Sequence, residues 1–275
     1  MPLIIFVLFV FFVDNCFSLM NWNPLLYLNF SGQRLRPALD LIARMPTGPF
    51  LRKVDLGCGA GNVTRLLAQR WPEGSLLGVD SSAAMLAQAR ENCLDSEWEC
   101  ADIAHWHSAA PLDLLFSNAA LHWLDDHANL LPRLLAQLAP GGCLALQMPA
   151  NFAAPAHAIL RELAATPPWR DALAQVRMGR IETPEFYYDI LSPAVARLDL
   201  WQTVYWQTLH GQDAVLRWMQ GTTLIPYLAA LTVVATPQAE EFLAVYGAML
   251  ARAYPPRRDG SVLFPFQRLF LVAEK

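Results

Sequence analysis

At 275 residues, with a net charge of -4, 16% charged residues and 55% hydrophobic ones, the chain is long enough to bury a sizeable core in one domain. Its sparse, slightly acidic charge provides no basic face for a phosphate backbone, which excludes nucleic-acid binding as a main task and favours a small-molecule substrate. The five cysteines, Cys16, Cys58, Cys93, Cys100 and Cys143, form no C-x-x-C pair, so a disulfide framework and a thiolate zinc site are both excluded, and a reduced, cytoplasmic, monomeric protein is expected.

The chain opens on an apolar run from Pro2 to Val13. About a dozen residues is too short for a membrane-spanning helix, which takes roughly 20, and fits the hydrophobic region of a signal peptide. No Lys or Arg precedes the run, however, and Asp14 and Asn15 follow it where small residues would lead to a cleavage site. The expectation is that residues 1–19 are a misassigned start and that the working chain begins at Met20; if the segment is real, membrane tethering is the reading.

Beyond it, strands and helices alternate. Lys53 to Leu56 is a short β-rich run, followed by Gly57, Gly59 and Gly61 and by a helical pattern from Val63 to Trp71. Leu76 to Val79 is a second strand closed by Asp80, after which Ser81 or Ser82 can cap a helix carrying Met85, Leu86 and Ala89. Glu97 to Ala101 ends at Asp102, and Leu112 to Phe116 ends at Ser117 and Asn118. A helix over Leu130 to Leu138, stopped by Pro140-Gly141-Gly142, leads to a fifth strand from Cys143 to Met148. The later chain predicts helices over Asn151 to Thr166 and Glu185 to Val195, a strand over Leu198 to Leu209, a mostly helical stretch from Gln212 to Tyr254 and a last strand from Val262 to Ala273. This alternation predicts an α/β fold with a parallel sheet covered on both faces. Residues 150–183 and 210–257 read as helical insertions, candidates for a lid.

Val54-Asp55-Leu56-Gly57-Cys58-Gly59-Ala60-Gly61-Asn62 occupies the first strand-to-helix turn, where sheets of this kind bind ligands at the carboxyl ends of their strands. Glycines there let backbone approach a ligand closely. A dinucleotide requires a third glycine at the sixth position of G-x-G-x-x-G, and that position is Asn62. The pattern here is D-x-G-x-G-x-G, and an acid with backbone carbonyls suits a cationic ligand carrying an ammonium and a sulfonium. Asp80, 25 residues after Asp55, ends the second strand, where an acid accepts hydrogen bonds from ribose hydroxyls. Asp102 can accept from an adenine amino group while Ile103 packs on the ring; the plainer reading of either acid alone is a helix cap or solvated loop. Cys58 reads as a small loop residue, since nothing nearby in sequence activates a thiolate.

These segments, with VDLGCGAGNVT, GVDSSAAML, AD at 101–102 and LDLLFSNAALHWLDDH in order, resemble the class I S-adenosylmethionine-dependent methyltransferases. WNPLLYLNFSGQRLRP, LAPGGCLALQMP, YYDIL and RLFLVA extend the resemblance, from Met20 onward, to the trans-aconitate 2-methyltransferase family. It implies a Rossmann-like, seven-stranded, mostly parallel sheet of order 3-2-1-4-5-7-6 with strand 7 antiparallel, S-adenosylmethionine as cofactor and a monomethyl ester as product. It implies further that Asp55, Gly57, Cys58, Gly59 and Gly61 line the methionine end, Asp80, Ser81 and Met85 the ribose side, Asp102 and Ile103 the adenine, and Asn118, Ala119 and Ala120 the edge nearest the sulfonium. Residues 1–19 have no place in the family pattern.

On the acceptor side the fourth strand ends Asn118-Ala119-Ala120-Leu121, not in the [DN]-P-P-[YFW] turn in which enzymes methylating nucleobase or amide nitrogen resemble one another, so an oxygen acceptor is favoured. A carboxylate, with a reference pKa of about 4, is ionised at neutral pH and needs no general base. No catalytic residue is therefore expected, only positioning. Arginines suit the remaining carboxylates of a polyacid, with Arg34, Arg36, Arg180 and Arg268 as candidates. His122 and Trp123 can wall the pocket together with Tyr188; Tyr187 is a further candidate, and Trp22, Tyr27 and Phe30 can fold over it. The competing readings are a carboxyl methyltransferase acting on another acid, such as a malonyl thioester, an NAD-dependent oxidoreductase, and a non-catalytic cofactor-binding partner.

Overall fold

The computed structural model describes residues 35–93, 96–234 and 236–275. Seven strands form one sheet: β1 (Arg52–Leu56), β2 (Ser75–Asp80), β3 (Glu97–Cys100), β4 (Leu112–Asn118), β5 (Leu138–Pro149), β6 (Arg197–Leu209) and β7 (Val262–Glu274), in the order β3-β2-β1-β4-β5-β7-β6. The first five are mutually parallel, and β7 is antiparallel to both β5 and β6. The order and the reversed strand are those the family resemblance implies.

The inner parallel strands bury most of their residues because helices cover both faces, whereas the edge strand β3 is polar and mostly exposed. On one face, α1 (Arg36–Arg44) buries Leu39 and Ile42, and α2 (Asn62–Arg70) buries Leu66 and Leu67, against Phe116, Ala145, Tyr205 and Phe270. On the other, α4 (His127–Ala136) and α7 (Pro184–Leu191) pack Leu131, Leu134, Tyr187 and Leu191 on Leu56, Leu115, Leu146 and Leu271. Between these, α3 (Ala83–Asn92) starts at Ser82, whose Oγ accepts from the backbone N–H of Met85 at 3.3 Å. Lys53 is buried inside β1, its ammonium donating to the carbonyls of Phe50, at 3.0 Å, and Glu73.

The insertions pack together. Helices α5 (Pro155–Ala164) and α6 (Arg170–Leu173) from the first meet α8 (Ala214–Gln220), α9 (Ile225–Val234) and α10 (Thr236–Ala253) from the second, around Leu160, Trp169, Met219, Phe242 and Tyr246. Three boundaries differ from the sequence reading. Helix α4 ends at Ala136, and Pro140-Gly141-Gly142 lies within β5, because the main chain there pairs with the terminus: Gly141 N–H donates to Lys275 O at 2.8 Å, and Lys275 N–H to Gly142 O at 2.9 Å. Helix α5 begins only at Pro155, and α7 stops at Leu191, followed by one 3-10 turn over Ser192–Ala194, where Pro193 supplies no donor.

The loop before β2 depends on one glycine. Gly74 has φ +75°, and a Cβ there would stand 2.0 Å from the carbonyl oxygen of Leu51, the same oxygen that accepts from Ser75 N–H at 2.7 Å. Gly74→Ala is therefore expected to cost about 2 kcal/mol or more, read as a lower urea midpoint; a wild-type midpoint would contradict this turn.

Candidate active site

The loop after β1 is fixed by backbone. Gly57 and Cys58 N–H both donate to Val79 O, at 2.8 and 3.1 Å, tying the loop to the end of β2. Gly57 has φ +74°, and a Cβ there would lie 2.1 Å from Ala120 Cβ and 3.3 Å from Ile103 Cδ1, so its lack of a side chain lets the β1, β3 and β4 ends converge. A Cβ on Gly59, φ +55°, would meet nothing within 4 Å: the loop presents bare backbone to open space.

Acids brace this loop from beneath. Asp80 Oδ2 accepts from Gly59 N–H at 2.9 Å and its Oδ1 from Ser82 N–H at 2.8 Å. Asp55 lies in the interior, accepting from Thr64 Oγ1 at 2.7 Å. Burial pushes its carboxyl up to about 7, with the Thr64 hydrogen bond opposing and the Asp80 charge adding to the rise. Cys58 is buried, and burial raises its thiol far above the ordinary value, so it is held as the unreactive thiol. Asp102 is exposed, accepting from Ala104 N–H at 2.9 Å and pairing with His105 Nδ1 at 3.0 Å, which hold its pKa low. Ile103 is buried beside Gly57, while Ser81 and Met85 are exposed at the start of α3. The named cofactor-side residues thus gather along the ends of β1 to β4.

Across the cleft, Ala119 sits at φ +55°, a strained conformation for a residue with a Cβ, its N–H donating to Gln147 O at 2.8 Å. Around it are buried polar atoms with no partner among the described residues: Asn118 Oδ1, His122 Nδ1, both amide atoms of Gln147, Asn151 Oδ1, and Nε and Nη1 of Arg268. Arg268 stands in β7 opposite Pro149 and Thr203, its guanidinium 4.3 Å from the Phe266 ring centroid. Burial lowers its pKa to about 10, with Tyr205 opposing, so it remains charged at neutral pH. His122 is pushed down to about 3 by burial, then by Arg268 and His127, and is neutral. The segment after His122 is held by a polar chain: His127 Nε2 donates to Leu121 O at 2.9 Å, which leaves Nδ1 to accept from Tyr187 OH at 2.7 Å, and Tyr187 OH accepts from Glu182 N–H at 3.0 Å.

Of the arginines named from sequence that lie among the described residues, Arg268 alone has buried, unpartnered donors. Arg36 lies in the first turn of α1, 5.1 Å from the Tyr205 ring centroid, and Tyr205 OH donates to Asp40. Arg180 is exposed and paired with Glu182 at 3.1 Å. Tyr187 is core, whereas Tyr188, at 55% exposure, and Trp123, at 52%, stand out from the surface. Trp22, Tyr27, Phe30 and Arg34 lie outside the described residues, as do residues 1–19. Sequence reasoning missed Gln147, Asn151 and Thr64. For Gln147 a signal existed: it interrupts the apolar run Cys143-Leu144-Ala145-Leu146-Gln147-Met148.

A sheet of this order with a D-x-G-x-G-x-G loop closing β1 defines a class I S-adenosylmethionine-dependent methyltransferase, and the bare backbone at Gly59, with Ile103 packed beside Gly57, fits that cofactor. The family described as "Methyltransferase domain" matches residues 54–142, and the solved S-adenosylmethionine dependent methyltransferase from Mesorhizobium loti shares the fold, with a TM-score of 0.50 at 23% identity over 89% of this chain and 99% of that one. Proteins named trans-aconitate 2-methyltransferase from Azoarcus sp. and Methylobacterium nodulans are each 48% identical, over 92% and 93% of this chain and 98% of theirs. The chain belongs to the trans-aconitate 2-methyltransferase family, and its cofactor is S-adenosylmethionine.

The Asp55 carboxyl offers a test of this loop. Because its folded value of about 7 lies above that of an unfolded aspartate, the native state holds the extra proton, and stability falls as pH rises from about 4 to that value, then levels off. Asp55→Asn keeps an acceptor for Thr64 and should flatten this slope in urea midpoints between pH 5 and 8; an unaltered slope assigns it to another group.

Proposed function

We propose that the chain methylates a carboxylate of trans-aconitate by in-line displacement, with no residue acting as general base. The observation that carries this is Arg268, a charged guanidinium whose Nε and Nη1 are buried at the carboxyl edge of the sheet without a partner among the described residues. An uncompensated buried cation costs several kcal/mol, and an anionic ligand bound there offsets that cost. S-adenosylmethionine supplies an activated methyl group. The chain's own residues orient the acid and exclude water, a contribution of several kcal/mol and up to roughly 7–11 in favourable cases. His122, neutral with a pKa near 3, is too weak a base to take part, and an ionised acceptor requires none.

The domain reading extends this. In this proposal the described chain is one methyltransferase domain, and the packed insertions at 150–183 and 210–257 serve as its lid, with Arg36, Trp123 and Tyr188 on the covered acceptor side; Trp22, Tyr27 and Arg34 lie outside the described residues. Among the described residues no helix is long and apolar enough to cross a membrane, and Cys58, Cys93, Cys100 and Cys143 are free thiols; a monomeric, cytoplasmic enzyme is part of the proposal.

The test is to incubate the protein with labelled cofactor and, separately, trans-aconitate, cis-aconitate, isocitrate and a malonyl thioester. Label is expected in a trans-aconitate monomethyl ester; label only in the thioester transfers the reading to that acid, and label in none overturns it. Arg268→Met, which removes the charge at similar volume, should raise KM for the acid at least about tenfold while leaving affinity for S-adenosylhomocysteine unchanged. Equal loss of both affinities would argue against an acid-binding role.

A further inference from the structure

We infer that Gln147 is a specificity residue for the acid acceptor: its side-chain amide, next to the Arg268 guanidinium, binds a carboxylate other than the one that is methylated. The inference rests on the reading that the chain methylates a polycarboxylic acid at the carboxyl edge of its sheet.

The placement follows from strand geometry. Along β5, Cys143 and Ala145 pack with Phe116, Tyr205 and Phe270 on one face of the sheet, while Leu144, Leu146 and Met148 pack on the other. Side chains alternate with a period of two, so Gln147 continues the first face at the point where the strand reaches the cleft. Its cross-strand neighbours are Asn118 in β4 and Phe270 in β7. Two residues from Phe270, on the same face, stands Arg268, a diagonal neighbour at a backbone spacing of roughly 7–8 Å, within reach of two long side chains. The main chain of Gln147 is pinned as well, its carbonyl accepting from Ala119 N–H at 2.8 Å.

The energetics argue against a purely packing role. Gln147 is 1% exposed, and neither Nε2 nor Oε1 has a partner among the described residues. Each such atom costs about 1–3 kcal/mol, so a residue needed only to fill this place would be Leu or Met. The two Arg268 nitrogens lack partners as well, and a carboxylate, which only accepts, meets the requirement of these donors together with that of Gln147 Nε2. A carboxylate takes one N–H from Gln147 Nε2 and one or more from Arg268, and Oε1 accepts from the guanidinium. An acid with a single carboxylate cannot occupy this subsite and also present an oxygen for methylation, so the acceptor must carry at least two.

Gln147→Met preserves volume and removes both polar atoms; Gln147→Glu sets a negative charge against the acid. Steady-state kinetics with trans-aconitate should show KM raised about tenfold in the first and further in the second, equivalent to about 1.4 kcal/mol per factor of ten. Affinity for S-adenosylhomocysteine should stay within about twofold, and Tm should be unchanged or higher in Gln147→Met. An unchanged KM in both variants overturns the inference, as does a parallel loss of cofactor affinity and Tm, the mark of a packing role. If neither variant folds, the wild-type protein loaded with S-adenosylhomocysteine decides the matter: calorimetry should detect tricarboxylates and dicarboxylates but not monocarboxylates, and equal binding of a monocarboxylate overturns it. Should wild type turn over none of the acids, the proposed function fails by itself. Calorimetric polyacid binding weakened by Gln147→Met then still supports the Gln147 assignment, and absence of polyacid binding overturns both.

Discussion

Both oxygens of Asp80 are committed to backbone, one to Gly59 N–H and the other to Ser82 N–H. This single carboxylate joins the glycine loop after β1 to the start of α3 after β2, adding to the bond by which Asn92 Nδ2 donates to Ala60 O at 2.9 Å. The left-handed glycines and the Gly57 N–H bond to Val79 O complete the frame. Lone pairs remain on each Asp80 oxygen, so bracing the loop and accepting from a ligand hydroxyl are compatible tasks for one side chain.

The two sides of the cleft are built by different means. On the cofactor side the surface is backbone, shaped by glycines and supported by acids whose bonds are internal, as with Asp55 and Thr64. On the acceptor side it is side chain, and several polar atoms are buried without partners among the described residues. In the proposed function a preformed backbone cradle serves a cofactor common to a whole class, and selectivity among acids is assigned to a few side chains, in keeping with the rule that function resides in sites grafted onto a fold.

This division explains what could be read in the sequence. The glycine loop and the acids at 55, 80 and 102 were legible because backbone geometry imposes local patterns, a glycine where φ is positive and an acid near the end of a parallel strand, whereas the strand order came only through the family resemblance. The end of α4 was misread because Pro140-Gly141-Gly142 has the composition of a helix stop, yet these residues pair with Lys275, more than a hundred positions away. The arginines were legible as a class and not as individuals, since only the fold distinguishes Arg268, inside β7, from the exposed Arg180. Gln147 went unread for a related reason: one polar residue in an apolar strand becomes informative only when its neighbours across two strands are known.

The charges on the two sides have opposite sign, and that polarity matches the reaction. Asp80 stands under the glycine loop, with Asp55 below it near half-protonation at neutral pH, and Arg268, with neutral His122 beside it, stands where the proposed function holds the anionic acid. A protonated His122 would add a second positive charge against Arg268, and burial together with that guanidinium keeps the imidazole uncharged. When the methyl group has moved, the acid carries one negative charge fewer and the cofactor has lost its sulfonium charge, so attraction on both sides of the cleft weakens at once. Electrostatics that favour binding of the substrates therefore favour release of the products, without any residue having to change its protonation state.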